Sequence, residues 1–205
     1  AKSCNSSFSN IGLLVDNNKL NTLCDDMLFN KDLPIAFDSK KSKFALDNNA
    51  SSALTMQTAI GQGNTLVSPL HMCMIAGAIC NDGNLMRPYL VDHTENAAGA
   101  IVEQNKPASY KQIMSKDQAA FLQNLMAAVV SDGTGTKLRD QSYEPLERPE
   151  LPRYQILQTR PMPGLWANGK KDGYNDLAIA VVVEDSGAGS TYAVPVAKKV
   201  FDKYF

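Results

Sequence analysis

An excess of charge of either sign is absent from this chain, and histidine is scarce. The 205 residues carry 20 Lys and Arg against 21 Asp and Glu, for a formal net charge of −1. Without a basic excess there is no sign of a nucleic-acid partner, and without an acidic block there is no sign of a charged tail. With two His, a zinc centre or His-based catalysis would have few residues to use. We therefore expect neither a metal nor a cofactor.

Cysteine spacing excludes two further classes of protein. The four cysteines, Cys4, Cys24, Cys73 and Cys80, form no C-x-x-C pair, which argues against a zinc ribbon and a thioredoxin-like motif. A disulfide framework is not typical of a chain of this length and composition. Cys73 and Cys80 stand in an apolar run and are expected to be buried thiols. Cysteine usage does not fix the compartment.

Long apolar runs are also missing. The longest, Leu70 to Cys80, is too short to span a bilayer. The chain does not begin with the charged and apolar regions of a signal peptide. The 44% of hydrophobic residues are enough for one well-packed core or two small ones.

The first third of the chain predicts two helices and a surface excursion. Apolar residues follow helical spacing at 8–15 and at 20–28, with Asp16-Asn17-Asn18 as the turn between them. Residues 30–56 are mixed and polar, and we expect a long surface segment there. A short β-like run is expected before Gly61-Gln62-Gly63.

Two further helices carry clear start signals. Ser68 and Pro69 fit the N-cap and first helical positions, and that helix should end at Asn81-Asp82-Gly83. A second helix should begin at Ser115, with Gln118 completing a capping box. Its predicted buried stripe is Leu122, Leu125, Met126, Val129 and Val130.

The last third predicts a strand and a helix. Residues 137–175 look irregular, with many prolines and charges. Residues 176–185 form a β-branched apolar run, typical of a central strand covered on both faces. An amphipathic helix is expected after Pro195, with Val196, Val200 and Tyr204 on one face. The pattern predicts an α/β or α+β fold with the last helix on the sheet.

Several short blocks occur in an order that resembles one family. They are Ser3-Cys4-Asn5, Ile60-Gly61-Gln62-Gly63 with Ser68-Pro69-Leu70, Asn81-Asp82-Gly83 with Pro88, and Gly133-Thr134-Gly135. These resemble the S-x-N, "IGQG…TPL", "AN-x-G…P" and "GTGT" segments of penicillin-binding protein transpeptidases, class B in particular. The strand at 177–184 and the closing helix resemble the last elements of that family.

The resemblance implies D,D-transpeptidation by an acyl-serine mechanism, with β-lactams as mimics of the peptidoglycan stem peptide. S-x-x-K supplies the nucleophile and the lysine that activates it. S-x-N supplies a hydroxyl for proton relay and an amide that orients the substrate, which makes Ser3 and Asn5 candidate catalytic residues. Alternatively, Ser3 is the N-cap of the first helix. K-[ST]-G binds the substrate carboxylate and borders the oxyanion hole.

The nucleophile motif is missing, because no Ser is followed by Lys at the third position. In the family it precedes S-x-N, so we expect it before Ala1. The resemblance then makes residues 1–205 a single partial transpeptidase domain of the penicillin-binding protein and serine β-lactamase type, with helices on an antiparallel sheet. The uncovered surfaces of such a part predict a homodimer in isolation.

The third motif is altered rather than missing. No Lys-Thr-Gly or Lys-Ser-Gly lies between Gly135 and Asp176. The best match to the substrate-binding strand is Tyr154 to Arg160, with Gln158, Thr159 and Arg160 as the candidate substrate-binding residues; a surface loop before Pro161 is the alternative. Gln in place of Lys removes a fixed positive charge that would face the substrate carboxylate. Arg in place of Gly adds bulk where the substrate must approach the strand backbone.

Two functions therefore remain open at the level of sequence. One is peptidoglycan cross-linking and penicillin binding by the parent protein, at the extracytoplasmic face of a bacterial membrane through an N-terminal anchor outside this chain. The other is a non-catalytic module that binds cell-wall peptide or a morphogenesis partner. We expect His71 to be structural, His93 to be exposed and Trp166 to serve in packing.

Overall fold

The computed structural model describes residues 4–139, 155–157, 164–185 and 189–205. Six α-helices, seven strands and one short 3₁₀ helix (Thr136–Leu138) lie in these ranges. The helices are α1 Asn5–Leu14, α2 Asn17–Asp26, α3 Ser52–Ala59, α4 Pro69–Cys80, α5 Lys116–Asp132 and α6 Gly189–Tyr204. The strands are β1 Asn84–Arg87, β2 His93–Glu95, β3 Ile101–Gln104, β4 Ala108–Gln112, β5 Gln155–Leu157, β6 Gly164–Gly169 and β7 Leu177–Val182.

Side-chain caps fix where most of the helices begin. The Ser68 hydroxyl accepts a hydrogen bond from the His71 amide, and Pro69 fills the first position of α4. Ser115 and Gln118 form the predicted capping box of α5. Asp16 caps α2. The predicted starts of α4 and α5 are confirmed, whereas α2 begins at Asn17, inside the predicted turn. Capping is local, since a short polar side chain satisfies amide groups that the first helical turn leaves without partners.

The larger sheet is antiparallel, in the order β5-β6-β7. Ala167 in β6 lies opposite Ile156 of β5 and Ile179 of β7. Helices α4 and α6 both pack against β6 and β7. Two smaller antiparallel pairs, β1 with β4 and β2 with β3, complete the described strands. The predicted architecture of helices on an antiparallel sheet is confirmed.

Two apolar clusters form the core. The first joins the end of α2, α4, β1 and α5 through Leu28, Ile75, Ile79, Leu85 and Met126. The second lies between the sheet and α6, through Leu165, Ala167, Ala197 and Phe201, and also takes in Val130 at the end of α5. Helices α4 and α5, which pack together and also reach the sheet, connect the two clusters.

The prediction of a surface excursion at residues 30–56 was wrong in part. Leu33, Phe44 and Leu46 are buried in the first cluster. The Asn30 side chain holds this segment in place, donating to the Phe44 carbonyl and accepting from the Phe44 amide. Side-chain amides of this kind replace the hydrogen bonds of regular structure, so a polar composition conceals the burial. The β-like run before Gly61 is the end of α3 instead.

Three details of the later elements also differ from prediction. Leu125 of the predicted α5 stripe is exposed, whereas Ala119 and Ala127 are buried. Helix α6 begins at Gly189, so Pro195 lies inside it. The buried face of α6 carries Ala193, Ala197 and Phe201, while the predicted face of Val196, Val200 and Tyr204 is exposed. In both helices small alanines allow close packing, which a pattern of large apolar residues does not predict.

The strands also differ from the predictions made for them. Residues 137–175 were predicted to be irregular, yet β6 lies in this interval. β7 is the predicted strand at 177–184, but it lies at one end of the described three-stranded sheet and its residues are only partly buried. Within the described part of the chain β7 has a paired strand on one side only, and helices α4 and α6 both pack against it.

Candidate functional site

Asn5 is the first residue of α1, and its side chain is exposed. The N-cap position belongs to Cys4, which makes no side-chain capping bond. Ser3, the other candidate catalytic residue, lies outside the described residues. The S-x-N segment thus leads directly into α1, and the Asn5 amide is available to a ligand.

The Cys4 thiol between the two motif residues is exposed and polarised. Its sulfur accepts a hydrogen bond from the Ser7 hydroxyl at 3.3 Å. This hydrogen bond, with backbone hydrogen bonds from Ser7 and Ser6, holds the pKa of Cys4 below its ordinary value. A thiolate is therefore easier to form here than at an average cysteine.

Close packing of α1 on α3 fixes the position of the motif. Gly12 is the one buried residue of α1. A Cβ placed on Gly12 would lie 2.3 Å from the Ala59 Cβ, so only glycine allows this helix approach. α3 leads directly into the Ile60–Gly63 block, where Gly61 and Gly63 have φ of 77° and 71°. Two of the family-like blocks therefore belong to one packed unit.

One side of α1 carries apolar side chains that are at least half exposed. Phe8, Ile11 and Leu14 are 52%, 53% and 87% exposed. This spacing places the three side chains along one side of the helix. Within the described part of the chain Phe8 and Ile11 are about half covered and Leu14 is largely uncovered.

The third candidate segment begins where β5 ends. Leu157 is the last residue of β5 and lies opposite Trp166 of β6. Gln158, Thr159 and Arg160 follow Leu157 in the sequence and lie outside the described residues. Their predicted role stays a prediction.

One open depression, of about 240 Å³, borders the opposite end of α1. Its lining includes Val15, Asp16, Asn48 and Thr55. It lies at the corner between α1 and α2, away from Asn5, and it is not part of the candidate site.

The remaining titratable side chains in the core have structural roles. His71 is fully buried, and its Nε2 donates to the Met27 carbonyl at 2.6 Å. Burial lowers its pKa, so the ring is held neutral, as a structural histidine would be. No disulfide joins the four cysteines. Burial raises the pKa of Cys24 to about 11 and that of Cys80 to about 12, and the Asn168 side chain donates to the Cys80 sulfur.

A metal site and a membrane-spanning helix are both absent from the described ranges. Within residues 4–139 and the later described segments, no group of three or more His, Cys, Asp or Glu could hold a metal ion. In the same ranges no helix is long and apolar enough to cross a bilayer. His93 is exposed as predicted: its Nδ1 lies 2.8 Å from Asp92 Oδ2 and its Nε2 lies 3.0 Å from Glu95 Oε1.

Comparison with known sequences gives one family. Residues 1–146 match the family described as penicillin binding protein transpeptidase domain. The chain is 26% identical to the peptidoglycan D,D-transpeptidase PbpA of Mycolicibacterium smegmatis, over 97% of this chain and 41% of that protein. It is 28% identical to penicillin-binding protein 3 of Bacillus subtilis, over 84% of this chain and 26% of that protein. The chain thus spans less than half the length of these relatives.

Solved structures give the same fold. An imipenem acyl-enzyme complex of penicillin-binding protein A from M. tuberculosis superimposes with a TM-score of 0.75 at 23% identity, covering 98% of this chain and 45% of that one. The D,D-transpeptidase domain of a peptidoglycan glycosyltransferase from Eggerthella lenta gives 0.70 at 21% identity, covering 98% and 52%. About half of each of those chains has no counterpart here.

Proposed function

Because the chain belongs to the penicillin-binding protein transpeptidase family, we propose that it is the C-terminal portion of a D,D-transpeptidase-type domain serving peptidoglycan cross-linking. Residues 1–205 then form one partial domain. The observation that carries the proposal is the S-x-N segment at the start of α1, held by the Gly12–Ala59 contact against the helix that leads into the IGQG block. Asn5 is exposed there and can orient a stem peptide, or a β-lactam that mimics it.

The roles of the site residues follow from chemistry at named atoms. The Ser3 hydroxyl relays a proton, and the Asn5 amide can donate to and accept from a peptide bond. The nucleophilic serine and its lysine are not in this sequence, so the chain by itself forms no acyl-enzyme. The parent protein would act at the extracytoplasmic face of a bacterial membrane.

The third motif reduces the activity we expect of the parent protein. Gln158 takes the place of a lysine whose positive charge attracts the substrate carboxylate, and Arg160 takes the place of a glycine beside the strand. Arg160 can still bind a carboxylate through its guanidinium group. We expect slow acylation, with substrate recognition retained.

Repair of the motif in the whole protein tests this function. A fluorescent penicillin should label the native protein slowly, and Gln158→Lys with Arg160→Gly should label at least ten-fold faster. Asn5→Ala in the repaired protein should lose the gain, whereas Asn10→Ala, on the same helix, should retain it. Rapid labelling of the native protein contradicts the weakened motif. Absence of labelling in both proteins contradicts the transpeptidase assignment.

The same altered motif favours a second candidate, a non-catalytic module that binds cell-wall peptide or a morphogenesis partner. If Arg160 holds the substrate carboxylate in place of the missing lysine, the altered strand would retain recognition of the peptide without supporting acylation. Isothermal titration with a D-Ala-D-Ala stem peptide separates the candidates: binding without any penicillin adduct supports the module, and an adduct supports the enzyme.

Self-association of the isolated chain is a further proposal. The exposed side of α1, with Phe8, Ile11 and Leu14, leaves an apolar surface that water contacts at a free-energy cost. We expect a dimer that buries it. Sedimentation should give a concentration-dependent mass for the chain, and Ile11→Ser with Leu14→Ser should give a monomer. Phe121→Ser, at an exposed site on α5, should leave the dimer intact. A monomer at all concentrations contradicts this proposal.

A further inference from the structure

The segment between β1 and β4 is a preformed hairpin that packs against little else. Every residue from 89 to 110 is exposed. We call residues 89–107, which contain β2 and β3, the arm. Thr94 of β2 lies opposite Glu103 of β3, and a bulge follows at the next position. In the described part of the chain these two strands pair only with each other.

Hydrogen bonds within the arm hold it in one shape. At its tip the Asn96 side chain accepts from the Ala98 and Ala100 amides at 2.9 and 3.0 Å. At its base the Asn105 side chain donates to the Val91 carbonyl at 2.8 Å, and its backbone amide donates to Asp92. The arm is therefore an ordered two-stranded ribbon rather than an irregular loop.

The arm exposes apolar side chains that no core receives. Leu90 and Val102 are 81% and 69% exposed, and Val91 and Ile101 are more than half exposed. An isolated two-stranded hairpin is marginally stable in water, and four exposed apolar residues add no stability to it. Such residues on a strand with an unpaired edge are typical of a surface that another chain covers.

The charge of the arm indicates the chemistry of that chain. Asp92, Glu95 and Glu103 stand against Lys106, and His93 already contacts Asp92 and Glu95, which leaves Glu103 as the arm carboxylate that His93 does not engage. An acidic ribbon repels an anionic membrane surface and attracts Lys and Arg. Ile101, Val102 and Glu103 follow one another on β3. The unpaired edge of this strand therefore offers two apolar side chains and one carboxylate to a partner.

We propose that the arm is a docking site for an extended, cationic segment of a partner protein, which adds to the free edge of β3 as a third strand. Backbone hydrogen bonds supply affinity, as in other cases of strand addition. A lysine or arginine side chain on the segment pairs with Glu103, the carboxylate on β3 that His93 does not engage, and its apolar side chains cover Ile101 and Val102.

Synthetic peptides test the proposal with the full 205-residue chain. The probe is a fluorescein-labelled octapeptide that alternates Lys or Thr with Val, measured by fluorescence anisotropy in low and high salt. Matched probes replace its Lys by Glu, or two of its Val by Pro. We expect the cationic peptide to bind, and the Glu and Pro peptides to bind at least ten-fold more weakly.

Variants of the chain locate the binding. Glu103→Lys, and Ile101→Ser with Val102→Ser, should each weaken the cationic peptide at least ten-fold. Glu184→Lys and Phe121→Ser, which make the same changes at exposed positions outside the arm, should leave binding unchanged. The NMR titration of His93 reports whether the arm stays folded in each variant.

Any of four results overturns the proposal. If the Pro peptide binds as tightly as the cationic peptide, binding results from charge attraction without strand addition. If the Glu103→Lys variant binds the cationic peptide as tightly as the native chain does, and the His93 titration shows that its arm is folded, the binding site lies elsewhere. Binding of the chain to phosphatidylglycerol vesicles through Ile101 and Val102, or arm-dependent self-association, means that a membrane or a second copy occupies the surface.

Discussion

His71 Nε2 donates a hydrogen bond to the Met27 carbonyl at 2.6 Å, and this ties the first turn of α4 to the C-cap of α2. A carbonyl only accepts, so Nε2 carries the proton. The opposite ring nitrogen, Nδ1, is buried and has no hydrogen-bond partner among the residues that the structure describes. Protonation of Nδ1 would place an unpaired charge in the core, which is why burial lowers the pKa of His71.

This arrangement predicts a loss of stability in mild acid. The folded-state pKa of His71 lies below the ordinary value of about 6.5, so below that pH the unfolded chain binds a proton that the folded chain does not. The free energy of unfolding therefore falls as pH drops below about 6.5, by at most about 1.4 kcal/mol per pH unit for one proton. Urea unfolding at pH 7.5 and at pH 5.5 measures this fall in the free energy of unfolding.

A variant without the titrating ring isolates this effect from the carboxylates. His71→Gln should be less stable overall but should lose less free energy between the two pH values than the native chain. His93→Gln serves as the control at an exposed histidine and should not remove the His71 contribution. Equal pH dependence in the native chain and His71→Gln would contradict the assignment.

His93 in the arm should behave in the opposite sense. Hydrogen bonds to Asp92 first and Glu95 second raise its pKa, so any stabilisation of the arm is present below about pH 6.5 and is lost as pH rises through the folded-state pKa. In an NMR titration, Asp92→Asn and Glu95→Gln should each lower the pKa of His93. Glu103 makes no hydrogen bond to His93, so Glu103→Gln should change the pKa of His93 little. An unchanged pKa in Asp92→Asn would show that the hydrogen bond does not form in solution.

Thiol reactivity should single out Cys4. Its pKa is lowered, whereas burial raises those of Cys24, Cys73 and Cys80. A short pulse of iodoacetamide near neutral pH, followed by peptide mapping, should label Cys4 first. Ser7→Ala should slow that labelling, and Ser6→Ala, which retains its backbone amide, should not. Faster labelling of Cys80 than of Cys4 would contradict the structure.

The Gly12–Ala59 contact should be sensitive to a single methyl group. Gly12→Ala gains about 1 kcal/mol of helix propensity but forces α1 and α3 apart, and overpacking of this kind costs about 1–3 kcal/mol. We expect net destabilisation in thermal unfolding. Adding Ala59→Gly should restore part of the loss.

Gly77 offers a matched control for this substitution. It lies inside α4, where a new Cβ would be 3.8 Å from the Ala178 Cβ, an ordinary contact. Gly77→Ala should therefore be neutral or stabilising. If Gly12→Ala proved as stable as Gly77→Ala, the close approach of α1 and α3 would be wrong.

Local chemistry explains which parts of the fold were predictable. The starts of α4 and α5 depend on Ser68 and Ser115, whose capping bonds form within one turn. The S-x-N and IGQG blocks were recognisable because each is contiguous in sequence. β7 was predicted as a strand from its β-branched run, but its place at one end of the described sheet depends on which strands pair, and no local pattern encodes that.

Long-range contacts account for what the sequence did not reveal. The burial of Phe44 depends on the Asn30 side chain, fourteen residues away. The buried face of α6 is set by Ala193 and Ala197, which are small enough to approach the sheet, and hydrophobic size alone favoured Val196 and Val200 instead. The arm was missed because exposed apolar residues in a short polar segment resemble an ordinary loop.

Intact mass spectrometry of the whole parent protein after incubation with benzylpenicillin tests the central claim most directly. A transpeptidase-type domain with Gln158 and Arg160 in its third motif should gain no adduct under brief exposure, and should gain one slowly, on a serine that precedes Ala1, at high drug concentration. Rapid and complete addition of one penicillin would contradict the weakened motif. No adduct after prolonged exposure, in either the native or the repaired protein, would contradict the transpeptidase function itself.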